Sequence, residues 1–350
     1  MLILIYYLIV LLLIAKQKSR PIRFLAFTYL VVLFCFSGDI ADRDNYNLLL
    51  LNIDNKKEMV EIGWETIIFL FYNLNLDIQA LCIFIGISYL LILFIVTDKL
   101  SSGNNIPIAC YMIGLFFLDV VQLRNTFSAV FILLSFYFLF LYDSKKSRFL
   151  SLSLIILSSL IHSSNIIFTV FHFIVRYKLK RTVLFSICAV VVLTFAVFSL
   201  ATYFSVLFHI EDKIARIAST EGYTSEHAFL MVSLSGIAIP LVSWFANKHI
   251  VLSDDNNKNL FETTLKLSVF VLTIIPLIQL ASDFRRQIYI VYIIIASLLC
   301  RNLHKYTTKM IPFFLIMIAL MYFTYSTFLG NRESVFYPIF ENNILFNAMK

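Results

Sequence analysis

The stretch Asp119-Val120-Val121-Gln122-Leu123-Arg124-Asn125-Thr126 places an acid, amides and an arginine between two almost wholly apolar runs, 106–118 and 127–142. An aspartate or arginine at the centre of a bilayer costs about 2.5–3.5 kcal/mol on insertion scales, so such residues face a cavity or a partner and mark function by default. The alternative is a polar turn at the membrane surface. Asp283-Phe284-Arg285-Arg286 interrupts a later apolar stretch in the same way. Arginine forks bind phosphate through paired N–H donors and keep their charge when buried. Arg124, Arg285 and Arg286 on one cavity would suit an anionic group such as a pyrophosphate; structural ion pairs with Asp119 and Asp283 are the competing reading. Ile161-His162-Ser163-Ser164-Asn165 sets an imidazole among hydroxyls. Histidine titrates near neutral pH and can take a proton from a reacting hydroxyl; a hydrogen-bonded core histidine is the bland alternative.

A further acidic set lies early. Ser37-Gly38-Asp39-Ile40-Ala41-Asp42-Arg43-Asp44-Asn45-Tyr46 is followed by Glu61-Ile62-Gly63-Trp64-Glu65. Carboxylates accept from hydroxyls and aromatic faces stack on sugar rings, so Asp42, Asp44, Tyr46, Glu61 and Trp64 suit carbohydrate; an ordinary solvated loop would look similar. His172 reads as structural, and Arg216, Glu221 and His227 have no spacing that singles them out. There is no P-loop, no GxGxxG and no HExxH, and no His/Cys/carboxylate set has zinc spacing. A nucleotide-driven enzyme with a cytoplasmic active site is therefore not expected, and no metal site is assigned.

The elements that must position these groups are membrane helices. The chain of 350 residues is 60% hydrophobic and 14% charged, with mean hydropathy +0.88. That composition fits an all-α polytopic membrane protein. Apolar runs fall at 2–15, 22–37, 78–96, 106–118, 127–142, 149–161, 166–175, 182–208, 228–246, 262–281, 288–300 and 310–329. They predict about 12 transmembrane segments (roughly 10–14), some short or re-entrant, since a full span needs about 20 residues. The pair 149–161 and 166–175 reads as a hairpin. The net charge of +7 does not point to nucleic acid, because the basic residues cluster in short loops at 16–20, 145–148, 176–181 and 301–309. The positive-inside rule puts those loops in the cytoplasm.

The unusual polar clusters then face the other side. At ~1.5 Å per residue, Arg148 to His162 spans about 21 Å, Arg301 back to Arg285 about 24 Å and Ile106 to Asp119 about 20 Å. The hydrocarbon core is ~30 Å thick, so these clusters are expected below the outer surface in an outward-facing polar cavity. The chain is expected to form a single integral-membrane domain over 1–350. Residues 38–77 form a periplasmic loop carrying an amphipathic surface helix, and 209–227 a second periplasmic loop. Cys35, Cys82, Cys110, Cys188 and Cys300 lie in or beside apolar runs and read as small hydrophobes. Residues 1–15 show neither a basic n-region nor a small-residue cleavage site.

The order of these motifs resembles the EpsG-like branch of bacterial Wzy-type polysaccharide polymerases. The matching segments are an acidic Asp-x-x-x-Tyr (Asp42-Arg43-Asp44-Asn45-Tyr46) and a Glu-x-Gly-aromatic (Glu61-Ile62-Gly63-Trp64). Next come an Arg-amide pair opening a helix (Arg124-Asn125), a His-Ser-Ser after a short helix (His162-Ser163-Ser164) and a late Arg-x-x-x-Tyr (Arg285 with Tyr289). Glutamine is commoner where this chain has Asn125, and Arg286 with Ile290 does not match.

The resemblance implies an O-antigen or capsule repeat-unit polymerase of lipopolysaccharide or exopolysaccharide biosynthesis. Such a glycosyltransferase moves the growing glycan from undecaprenyl diphosphate onto a new undecaprenyl-diphosphate-linked repeat unit. It does so at the periplasmic face of the bacterial inner membrane, and no cofactor is implied. Donor and acceptor lipid-linked oligosaccharides, membrane lipid and a chain-length regulator protein are the implied partners; nucleic acid is not. Arg124 and Arg285 with Arg286 are assigned to the diphosphate, His162 to the base, and Asp42, Asp44 and Glu61 to acceptor hydroxyls. Tyr46, Trp64, Asp119, Gln122, Asn125, Asp283 and Tyr289 complete the substrate-binding set. The rival readings are a flippase for the same lipid-linked unit and an O-antigen ligase. A flippase often shows internal repeats and a midplane site, and neither is visible here.

Overall fold

The computed structural model describes residues 2–38, 42–51, 61–142, 144–207, 226–249, 255–278, 284–301, 310–322 and 335–347. Among the described residues the regular elements are all helices, and one isolated antiparallel bridge joins Ser37 and Asn343. Among them, Ile78–Ser101, Leu123–Leu141, Leu179–Ala196 and Leu260–Ile278 are long and apolar enough to cross a membrane, and shorter apolar helices include Leu2–Ala15 and Ile311–Met321. Asp283, Arg216, Glu221, residues 209–225 of the expected loop at 209–227 and the basic run after Arg301 lie outside the described residues, while 226 and 227 belong to a helix.

The chain divides into two compact units, 1–169 with 296–350, and 170–295. The first unit opens with α1 (Leu2–Ala15) and α2 (Arg20–Cys35), then short α3 (Arg43–Leu51) and α4 (Ile62–Asn73). It continues with α5 (Ile78–Ser101), α6 (Ile106–Gly114), α7 (Phe116–Val121), α8 (Leu123–Leu141) and α9 (Lys145–Ile161). A 3₁₀ turn, Ser163–Ile166, opens α10 (Ile167–Ile174). Caps set several of these boundaries. Asp77 Oδ1 accepts from Ala80 N–H at 2.8 Å to start α5, and Ser144 Oγ accepts from Ser147 N–H at 3.0 Å to start α9. α5 ends on left-handed Ser102 followed by Gly103 (φ 83°), whose N–H returns to Asp98 O at 2.9 Å.

An aromatic core holds the first unit. Tyr6 lies 5.4 Å from both Phe117 and Phe340, and Phe117 lies 5.1 Å from Phe336. The segment carrying Phe336 and Phe340 returns to the end of α2, where Gly38 N–H reaches Asn342 O at 3.0 Å and Ile344 N–H reaches Phe36 O at 2.7 Å. On the other side, Arg23 Nε donates to Asn105 Oδ1 at 2.8 Å, and Asn105 Nδ2 donates to Lys16 O and Ser19 O. These bonds tie the α1–α2 connection to the start of α6.

α8 and α9 pack along most of their length with serines at matched antiparallel positions. Ser135 Oγ meets Ser151 Oγ at 2.8 Å, and Ser158 Oγ donates to Ser128 O at 2.8 Å. Small hydroxyl residues let membrane helices approach closely and bond across the seam. The polar stretch 119–126 is narrower than an outward loop. α7 runs to Val121 and α8 starts at Leu123, leaving Gln122 (φ −107°, ψ 64°) as the break. The expected break between 149–161 and 166–175 is present at His162, which ends α9 in extended geometry (φ −145°, ψ 104°).

The second unit contains α11 (Leu179–Leu207), α12 (Glu226–His249), α13 (Asp255–Phe270) and short α14 (Ile275–Ile278). α15 (Phe284–Cys300) begins in this unit, and α16 (Met310–Tyr322), α17 (Tyr337–Glu341) and α18 (Ile344–Asn347) belong to the first. Within the second unit α11 packs on α13, and Lys266 is used locally: its Nζ contacts Glu262 at 2.9 Å and Val175 O at 3.3 Å.

Candidate functional site

Gly63 decides how close α4 comes to α9. A Cβ at Gly63 would lie 2.7 Å from Leu160 O and 2.8 Å from its carbonyl carbon, so the two backbones touch where the glycine sits. That approach delivers Glu61, just before α4, to the end of α9. Its Oε2 accepts from Arg124 Nη1 at 2.7 Å. Its Oε1 lies 3.8 Å from His162 Nδ1, an ion-pair approach when the ring is protonated rather than a hydrogen bond. The same oxygen faces Ser163, with Oγ at 3.3 Å and N at 3.5 Å.

Three of the predicted motifs therefore meet at one carboxylate: the Glu-x-Gly-Trp segment, the arginine opening α8 and the histidine-serine pair ending α9. Burial alone would push the Glu61 carboxyl up; the His162 imidazole, the Arg124 guanidinium and the Ser163 N–H outweigh it and hold it at about 2, against an ordinary 4.5. The Arg124 side chain is 31% exposed, and a guanidinium carries five N–H donors, so contact with Glu61 leaves donors for an anion. The His162 ring is buried, and Nε2 has no hydrogen-bond partner among the described residues.

The other predicted residues stand at different places. Asp44 is exposed on the first turn of α3. Asp42 precedes that helix with φ 47°, and its carbonyl accepts from Tyr46 N–H at 3.0 Å. Tyr46 and Trp64 meet edge to face at 5.7 Å, with Trp64 buried; the indole braces α3 against α4. Arg43, between the two aspartates, is committed to Ser37 O and to Gln79 Oε1 at 2.7 Å.

Asp119 points into the helix core, where Oδ2 accepts from Tyr89 OH at 2.7 Å, and its carbonyl accepts from Thr126 Oγ1 at 2.8 Å across the break. Gln122 is that break, and its carbonyl accepts from Thr126 N–H. Asn125 is buried and lies on the first turn of α8 beside Arg124. In the second unit Arg285, Arg286 and Tyr289 lie on the first turns of α15, with Tyr289 buried. Arg285 and Tyr289, four apart, share a helix face. The structure adds Ser163 and Gly63 to the site, and Tyr89 as the partner of Asp119. The close approach behind Gly63 has no local sequence signal beyond the glycine itself.

Comparison with known protein families matches residues 20–339 to the family described as EpsG. EpsG-like proteins are Wzy-type polysaccharide polymerases. Neither the curated proteins nor the solved structures give a match.

Proposed function

The chain belongs to the EpsG family, and from that premise we propose that it polymerises lipid-linked oligosaccharide repeat units at the periplasmic face of the inner membrane. The growing glycan leaves undecaprenyl diphosphate and joins a hydroxyl of a new undecaprenyl-diphosphate-linked unit. The observation that carries this reading is the convergence of Arg124, His162 and Ser163 on Glu61. It joins a fixed cation to a base candidate within reach of one anionic anchor.

In the transfer, the bond from the anomeric carbon to the diphosphate oxygen breaks, and the acceptor oxygen bonds to that carbon. Negative charge develops on the departing diphosphate, where preoriented cations in a site of low water content act most strongly. Arg124 takes this role through the donors that Glu61 leaves, and Arg285 and Arg286 are the further cations proposed for the lipid diphosphate. The acceptor proton passes to His162 Nε2. Glu61, on the Nδ1 side, stabilises the imidazolium that forms, as a carboxylate does behind a general-base histidine. Asp42 and Asp44 hold acceptor hydroxyls, and a chain-length regulator protein is the partner that would set how long the glycan grows.

The test is glycan banding in a strain lacking the native gene, complemented with each variant at matched membrane abundance. Arg124→Ala, Arg285→Ala, His162→Ala and Glu61→Gln should each collapse the ladder toward single repeat units. Full-length ladders from both arginine variants would remove the diphosphate role; a full ladder from His162→Ala alone would remove the base assignment.

A further inference from the structure

Asn165, three residues beyond His162, is completely buried in the 3₁₀ turn. Its Nδ2 donates to Ser158 Oγ at 2.7 Å and to Ser128 Oγ at 2.9 Å. A carboxamide nitrogen has two hydrogens, so both are used. The two serine protons are also committed: Ser158 Oγ donates to Ser128 O, and Ser128 Oγ donates to Asn125 O at 2.7 Å. Each hydroxyl oxygen can therefore only accept from Asn165, and the direction of every bond in the network follows. A flipped amide would set its oxygen against two oxygens that have no proton to give. Asn165 N–H closes the turn on His162 O at 3.0 Å.

The network thus begins at Asn125, next to Arg124, and ends at the turn carrying His162 and Ser163. These are the flanks of the groups that meet at Glu61.

We propose that Asn165 is the positioning residue of this site: its carboxamide fixes the start of α8 against the end of α9, so that Arg124 and His162 reach the same carboxylate. The proposal rests on the polymerase reading of that site. Asn165 itself touches no reacting atom; it acts through the His162 turn. A displacement of about 1 Å in a catalytic group can lower a rate on the order of a hundredfold, and loss of the clasp should act mainly on turnover.

The experiment uses the full-length protein in proteoliposomes, supplied with lipid-diphosphate-linked repeat units extracted from the strain lacking the native gene. Turnover and KM are compared for the wild type, Asn165→Leu, Ser158→Ala and Glu61→Gln, each normalised to folded protein by size-exclusion chromatography. The expected result is a turnover lowered about a hundredfold in Asn165→Leu with KM little changed, and a smaller loss in Ser158→Ala, where Ser128 still accepts. Wild-type turnover per folded molecule in Asn165→Leu, or a change confined to KM, overturns the proposal. If Asn165→Leu does not fold, Ser158→Ala decides alone: undiminished turnover there overturns it. Full turnover in Glu61→Gln would instead bring down the reading of the site on which the proposal stands.

Discussion

At Glu61 two demands meet: the carboxyl is nearly buried, yet Arg124 lies at 2.7 Å and His162 at 3.8 Å. With its carboxyl held at about 2, Glu61 is a poor proton acceptor at neutral pH and a good anchor for cations. The depressed value also makes a prediction about stability. A carboxylate whose folded pKa lies below its unfolded one contributes stability that is complete above the unfolded value and is lost as pH falls through the folded one. Here the window runs from 4.5 down to about 2. The thermal midpoint of the detergent-solubilised wild type should exceed that of Glu61→Gln at pH 4.5, and the margin should shrink as pH falls from there toward 2. A margin that instead grows between pH 4.5 and 2 would show that Glu61 is not held as an anion.

Between α4 and α9 the limiting contact is backbone against backbone. Because the atoms facing Gly63 are Leu160 O and its carbonyl carbon, no side-chain rotation can make room for a methyl group. Gly63→Ala should push α4 away, at a cost of about 1–3 kcal/mol for an overpacked contact, and should carry Glu61 with it. We expect a lower thermal midpoint together with a shortened glycan ladder at matched abundance; an unchanged ladder would mean that the α4–α9 approach does not govern the site. The α7–α8 break is held differently. Gln122 offers no side-chain cap to α8, and Thr126 Oγ1 reaches back to Asp119 O instead, while Tyr89 takes the Asp119 carboxylate. Hydrogen bonds between helices in a membrane contribute about 0.6 kcal/mol on average, so the placement of Arg124 rests on several such bonds together.

For the whole molecule the question is which side the Glu61 cluster faces. Basic loops at 16–20, 145–148 and 176–181 argue for a cytoplasmic location of those ends, and α9 leads from Lys145 to His162. Ser163 and Lys146 are both exposed. In a variant lacking the native cysteines, of which Cys188 is exposed, Ser163→Cys should react with a membrane-impermeant maleimide added from the periplasmic side. Lys146→Cys should react only after permeabilisation. Labelling of Ser163→Cys from the cytoplasm alone would reverse the proposed orientation and remove the periplasmic site.

Apolar run length, basic-loop position and the polar interruptions are local properties of the chain. From them the sequence alone determined the all-helical membrane class, helices at nearly all the expected runs, an interruption somewhere within 119–126, and the break at His162; that the first is confined to Gln122 came from the structure. The motif order carried the family. Partner choice is not local. Glu61 finds Arg124 63 residues away and Ser163 102 residues away, and only the packing of α4 on α9, permitted by a missing Cβ at Gly63, brings them together. The same holds for what single side chains contact. Trp64 was legible as an aromatic platform but is buried against Tyr46, and Asp119 was legible as an intramembrane charge but accepts from Tyr89 in the helix core. A side chain's type sets what it can do; the neighbours that use up its donors, acceptors and faces decide what is left for a substrate, and those neighbours come from distant parts of the chain.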